Sequence, residues 1–266
     1  RRLLQAATTA LALSFTAITT AATYQWDVNN SAAGLGGTGN WDTTSTFWDL
    51  FADGLDDGTD TTVAYTFTTA DTAVFGGTAG TVTLTTGITL GGITFGTAGY
   101  VVTGNTLTLD GTPVITANAD ATISSTLAGS TNWSKAGAGV LTFTGTNNST
   151  GKISITGGVL AINADARLGT APVAAVADQL TLNGGTLRIT AGGQTLHANR
   201  GITIGASGAT FDTDALADSS NNTTNISGKI TGTGGLTLKS NGDQSASGGG
   251  SNTLGIRLAN TTNDFT

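Results

Sequence analysis

Polar and apolar residues alternate along much of the chain. Thr81-Val-Thr-Leu84 and Thr106-Leu-Thr-Leu109 each place Thr at one parity and an aliphatic residue at the other. A period of two belongs to a strand with one buried face. The alternating runs are short and are broken by Gly, Asn and Ser. Aligned on a glycine corner, they become copies of one another. The copies are Ile88-Thr-Leu-Gly-Gly-Ile-Thr-Phe95, Ile153-Ser-Ile-Thr-Gly-Gly-Val-Leu-Ala-Ile162, Leu180-Thr-Leu-Asn-Gly-Gly-Thr-Leu-Arg-Ile189 and Lys229-Ile-Thr-Gly-Thr-Gly-Gly-Leu-Thr-Leu238. Ile202 to Phe211 is a looser copy. Each reads strand, corner, strand. The corners are Gly91-Gly92, Gly157-Gly158, Gly184-Gly185 and Gly234-Gly235, with Ser207-Gly208 filling the gap between the last two. From Gly157 through Gly184 and Ser207 to Gly234 the steps are 27, 23 and 27 residues. Self-similarity at that period predicts a solenoid. The expected fold is all-β, a parallel β-helix whose turns each lay down two or three short strands. In it Ile153, Ile155, Val159 and Ile162 point inward and Thr faces solvent.

Composition supports that fold. Of 266 residues, 40 are Gly, 2 are Pro and 10% are charged. Thr supplies about a fifth of the chain, where an average protein would carry more Glu, Lys and Arg. Branched Thr, Val and Ile fit the pleat of a strand. A 38% hydrophobic content is enough for a core. The net charge of −7 and the scattered cations argue against a nucleic-acid partner. The absence of Cys removes disulfides and thiolate chemistry. A solenoid does without such staples, because each repeat buries its face on the next.

Three segments follow from these patterns. Arg1-Arg2, an apolar run to Ile18 and the small residues Thr19 to Ala22 are expected to form a secretory signal peptide over residues 1–22. Residues 23–60, rich in Trp and Gly, are expected to cap the N-terminal end of the stack. Residues 61–266 are expected to be solenoid repeats. The lack of an initiating Met and the ending Asp264-Phe265-Thr266 suggest a longer reading frame.

Residues 133–163 bear a more specific resemblance. Trp133-Ser-Lys-Ala-Gly-Ala-Gly-Val-Leu-Thr-Phe-Thr-Gly-Thr-Asn147, followed by Gly157-Gly-Val-Leu-Ala-Ile-Asn163, resembles the autotransporter-associated β-strand repeat, also called the passenger-associated transport repeat. Gly232 to Asn241 is similar to a second repeat start, and Thr195 to Asp212 to an interval between repeats. The opening Tyr24-Gln-Trp-Asp27 through Asn40-Trp-Asp42 resembles that of large exported proteins of planctomycete- and verrucomicrobium-like bacteria. The resemblance implies a β-solenoid passenger, secreted or displayed at the cell surface. Contact with the outer membrane would come only through a C-terminal part outside this sequence.

Candidate chemistry is sparse. His197, the one histidine, has no Gly-x-Ser-x-Gly elbow to serve. Asp53, Asp56, Asp57 and Asp60 could offer oxygens to Ca²⁺, but lack the EF-hand spacing and closing Glu, and read as a solvated loop. Asp212, Asp214 and Asp218 could pair as acid and base on a polysaccharide, or serve as turn residues. Trp26, Trp41 and Trp48 could stack on sugar rings, or fill a cap. The sequons at Asn132 and Asn225 are expected by chance in so Asn- and Thr-rich a chain. No catalytic residue, cofactor or metal site is expected. The function expected is a rigid stalk or adhesin meeting an extracellular surface, matrix or glycan. A β-helix polysaccharide-degrading enzyme and a carbohydrate-binding module are the alternatives.

Overall fold

The computed structural model describes residues 21–29, 34–50, 62–213, 223–240 and 255–266. The expected signal peptide, apart from Ala21 and Ala22, and the Asp53 to Asp60 loop lie outside the described residues.

The described residues form an all-β parallel solenoid. Its first sheet runs, in spatial order from the C-terminal end, through Asp264–Phe265, Ile230–Gly232, Arg200–Ile204, Val176–Leu182, Ile153–Ile155, Trp133–Ala136, Leu107–Ala117, Ile88–Phe95 and Thr72–Phe75 to Thr23–Trp26. A second sheet stacks Gly39–Trp41, Thr81–Leu84, Tyr100–Gly104, Ala121–Ile123, Val140–Phe143, Val159–Ile162, Thr186–Ile189, Ala209–Asp212 and Leu236–Lys239. A third, smaller sheet joins Thr195–Leu196, Thr223–Ile226 and Gly255–Leu258. Successive strands of the first and second sheets alternate along the chain, so each turn visits both faces before climbing one rung.

Register turns the alternation of the sequence into files of stacked side chains. On the first sheet one inward file reads Ala73, Ile93, Ile115, Lys135, Ile155, Leu182 and Ile204. Its outward neighbour reads Thr72, Gly92, Val114, Ser134, Ser154, Thr181, Thr203 and Thr231. On the second sheet an inward file reads Tyr100, Ala121, Leu141, Leu160, Leu187 and Phe211. The inward files are buried and make one continuous core. Measured along the first outward file, turns take 20, 22, 20 and 20 residues as far as Ser154, then 27, 22 and 28. The extra length enters where the loops and the third sheet are built.

Two expectations need correction. Val159 was expected inward with Ile162. It stands in register with Val140 and Thr186 in an outward file, and Leu160 takes the inward place beside Leu187. The corner between Ile155 and Val159 resets the parity that an unbroken strand would keep. Gly91-Gly92 is also unlike the other glycine pairs. It lies inside the strand Ile88–Phe95, at a register irregularity between Leu90 and Gly92. The half before it pairs with Leu107 to Leu109, and the half after it with Thr72 to Phe75 and Val114 to Ala117. Gly91 thus joins the third side of the turn to the first sheet. Gly157-Gly158, Gly184-Gly185 and Gly234-Gly235 lie between strands of the first and second sheets.

Corner side chains replace the backbone partners that the bends break. Asn105 Nδ2 donates to Leu84 O. Asn132 Oδ1 accepts from Lys152 N, Asp120 Oδ1 from Val140 N, and Asn183 Oδ1 from Ser207 N. Each of these bonds reaches one rung away, which gives the Asn content a structural use.

The N-terminal end breaks the pattern. Thr23–Trp26 and Gly39–Trp41 add parallel strands to the two main sheets. The chain then reverses, and Trp48–Leu50 pairs antiparallel with Thr23–Trp26 and with Thr62–Val63. The segment read as a cap therefore supplies rung strands of its own before doubling back.

The rungs approach so closely that a glycine can be obligatory without a special φ. A Cβ on Gly234 would lie 1.9 Å from Gly205 O, whereas one on Gly235 meets nothing within 4 Å. Gly234→Ala should therefore destabilise the stack by about 2 kcal/mol, and Gly235→Ala should stay within about 0.5 kcal/mol of the parent. Paired urea unfolding curves followed by circular dichroism read the difference. Equal midpoints for the two variants would refute the close-approach account.

Candidate functional site

The sequence singled out tryptophans, a histidine and two aspartate groups. The structure places them apart. Trp26 and Trp41 are 0% exposed and Trp48 is 1% exposed. Their rings pack together, with centroids 5.1 Å apart for Trp26 and Trp48 and 4.8 Å for Trp41 and Trp48. Phe75 touches all three. Trp26 Nε1 donates to Gly37 O at 2.9 Å. Stacking on a sugar needs an open ring face, and these rings offer none. They fill the N-terminal end of the core, where large aromatic area replaces the aliphatic files.

His197 is exposed at a corner. Its backbone N–H donates to Asp165 Oδ1, and its Nδ1 accepts from Asn199 N. Asp212 lies in the second sheet, 2.8 Å from Arg188 Nε one rung back and in register with Lys239 on the next. It is a carboxylate between cations. Asp214 and Asp218 lie outside the described residues. Among the described residues no three His, Cys, Asp or Glu side chains come within reach of one metal ion.

Two buried cations went unnoticed in the sequence, and both serve the backbone. Arg200 is 1% exposed. Its Nε meets Asp165 Oδ1 at 2.9 Å and its Nη1 donates to Leu168 O at 3.0 Å. Nη2 donates to Gly169 O. The planar fork thus holds the 3₁₀ turn Asp165–Leu168 against the start of the first-sheet strand Arg200–Ile204.

Lys135 is 0% exposed and occupies an inward position between Ile115 and Ile155. Its Nζ donates to Gly137 O and Gly139 O at 2.7 Å and to Gly157 O at 2.8 Å. Three carbonyls satisfy the three donors of one ammonium. Two come from the glycines just after the lysine and the third from the next rung. The spacing Lys-x-Gly-x-Gly in residues 135–139 therefore has a physical cause: the side chain folds over its own corner and ties it to the one above. The signal was present, since the alternation of Trp133-Ser-Lys-Ala136 puts Lys135 on the inward parity.

Open grooves run along the outside. One is lined by Tyr100, Asp120, Thr142 and Arg188 on the second sheet. Another lies beside Pro113, Val114 and Trp133. Hydroxyl, amide and backbone groups on such faces can hydrogen-bond polyols or peptides.

Comparison with known proteins gives one informative match. Over 148 residues the chain is 42% identical to a protein named adhesin BmaC autotransporter, from Brucella suis biovar 1 (strain 1330). The match takes in 55% of this chain. The chain is thus related to an autotransporter adhesin. The matched stretch is 4% of that relative's own length. No family model matches the chain, and no solved structure matches it.

Lys135 provides a test of how the interior is held. Burial pushes its ammonium down to about 8, against the stabilising pull of Asp120. Lys135→Met strands three carbonyls and should cost about 3 kcal/mol. The unfolded chain keeps the lysine proton to higher pH than the folded chain does. The parent should therefore gain stability between pH 8 and the ordinary lysine pKa of about 10.5, and the variant should not. Denaturation midpoints of both proteins at pH 7 and pH 10 check the magnitude and the sign.

Proposed function

We propose that the chain is part of an autotransporter passenger: a rigid, non-catalytic stalk, secreted or displayed at the bacterial surface, that carries adhesive loops. The observation that carries this reading is the 42% identity to an autotransporter adhesin, on a chain whose described residues form a parallel solenoid. The reading takes the repeats as autotransporter-associated β-strand repeats, and residues 1–22 as the signal for export. An opening like that of planctomycete- and verrucomicrobium-like proteins suggests a source. Attachment to the outer membrane belongs to a C-terminal part outside this sequence.

Physical features support a stalk. Stacked rungs share backbone hydrogen bonds along the whole axis, so the rod resists bending. The buried cations bond to backbone carbonyls, and Asp212 and Asp165 are paired with arginines. Those groups are spent on architecture. The outward files of Thr and Ser present many equivalent weak contacts to a glycan, a matrix protein or another extracellular surface, where summed contacts supply avidity.

Display of residues 23–266 on a non-adherent bacterial host tests the reading. Retention on matrix-coated or glycan-coated surfaces above that of the bare host is the expected result. Failure to raise adhesion, together with release of reducing sugar from a polysaccharide panel, would replace the stalk with a β-helix hydrolase.

A further inference from the structure

The turn between Ile162 and Leu180 departs from the rung path. Its first part is the 3₁₀ turn Asp165–Leu168, clamped by Arg200. Its second part, residues 169–177, reads Gly-Thr-Ala-Pro-Val-Ala-Ala-Val-Ala and holds no charged residue. Val173 is 103% exposed, and Ala174 and Ala175 are exposed beside it.

Both ends of this loop are pinned. Thr170 N donates to Ser149 O and Arg200 Nη2 to Gly169 O. Val176 N donates to Asn199 O. Between them the backbone groups of Ala171, Val173, Ala174 and Ala175 make no hydrogen bond with any described residue. The one internal brace is Asn199 Nδ2, which donates to Pro172 O at 2.8 Å. Pro172 has no N–H to leave unpaired.

The unpaired main-chain groups are those a serine endopeptidase engages, and the bend at Val173 and Ala174 has to open for the enzyme to take them. Such enzymes take a substrate as an added extended strand. They pair with main-chain groups of the residue before the cut and of the residue two further back, and hold the side chain before the cut in a primary pocket. The carbonyl of the intervening residue is not used. With the cut after Val173, the groups required belong to Val173 and Ala171, which make no hydrogen bond with any described residue. The intervening carbonyl is that of Pro172, which Asn199 already holds.

We propose that the Val173–Ala174 peptide bond is a processing site for a serine endopeptidase whose primary pocket takes small apolar side chains. The enzyme's serine oxygen adds to the Val173 carbonyl carbon and its proton passes to the Ala174 nitrogen, which leaves as the amine. Water then hydrolyses the acyl-enzyme, which leaves the Val173 carboxylate and restores the serine. Strands on both sides of the cut, Val159–Ile162 and Val176–Leu182, remain stacked on their neighbours. The product is a nicked solenoid whose pieces stay together.

The test is to incubate the full chain with an elastase-type endopeptidase and to sequence the fragment N-termini over time. The expected result is an early fragment beginning at Ala174. It should co-elute with its partner on gel filtration in native buffer and part from it in denaturant. In Val173→Glu the side chain stays in solvent, so the circular dichroism should be unchanged and this fragment should be lost. Cleavage at other bonds only, inhibition of the enzyme without a cut, or an unaltered Ala174 fragment from the variant would each overturn the proposal.

Discussion

Most strand residues in this solenoid have an equivalent one rung above or below them. Parallel in-register pairing imposes that condition, and most of the structure follows from it. Apolar side chains stack on apolar ones without penalty, so the inward files are long runs of Ile, Leu and Phe. Charges do not tolerate stacking on their like, so few are present. Where they occur in one file their signs alternate, as in Arg188, Asp212 and Lys239. Thr and Ser neither repel nor demand burial, and they occupy the outward files.

The same condition makes polar burial a matter between rungs. Lys135 is the clearest case. An inward lysine among isoleucines would carry an intolerable charge if its three donors were not met. They are met by carbonyls that only glycine corners bring so near: a Cβ on Gly158 would lie 2.4 Å from Lys135 Nζ. The lysine and the glycines are one device. Arg200 works in the same way at the start of its first-sheet strand, where the neighbouring turn leaves the rung path and its loose carbonyls need donors.

Much of this was legible in the sequence. Period-two alternation found the strands, and the glycine-aligned copies found the solenoid. What failed was continuity across corners. Val159 was placed inward with Ile153 and Ile155, but the bend at Gly157-Gly158 does not preserve parity. Gly91-Gly92 was grouped with the other pairs because its flanks look alike, yet register puts it at a different bend. For the tryptophans the sequence left two uses open, filling a cap or stacking on sugar rings. Burial assigns them to the core, as their spacing with Phe75 and Tyr65 shows. The third sheet had no signal of its own, since its strands are two to four residues long.

The reversal near Trp48 gives the rod a polarity beyond its chain direction. At the N-terminal end of the first sheet, antiparallel strands occupy the edge that a parallel rung would use. At the other end the strand Leu236–Lys239 pairs on one side only among the described residues, and Leu238 is 45% exposed there. Among the described residues one edge is closed by antiparallel strands and the other is an unpaired parallel edge. Parallel pairing on an open strand edge adds rungs in a single sense, each new turn using the last as its mould.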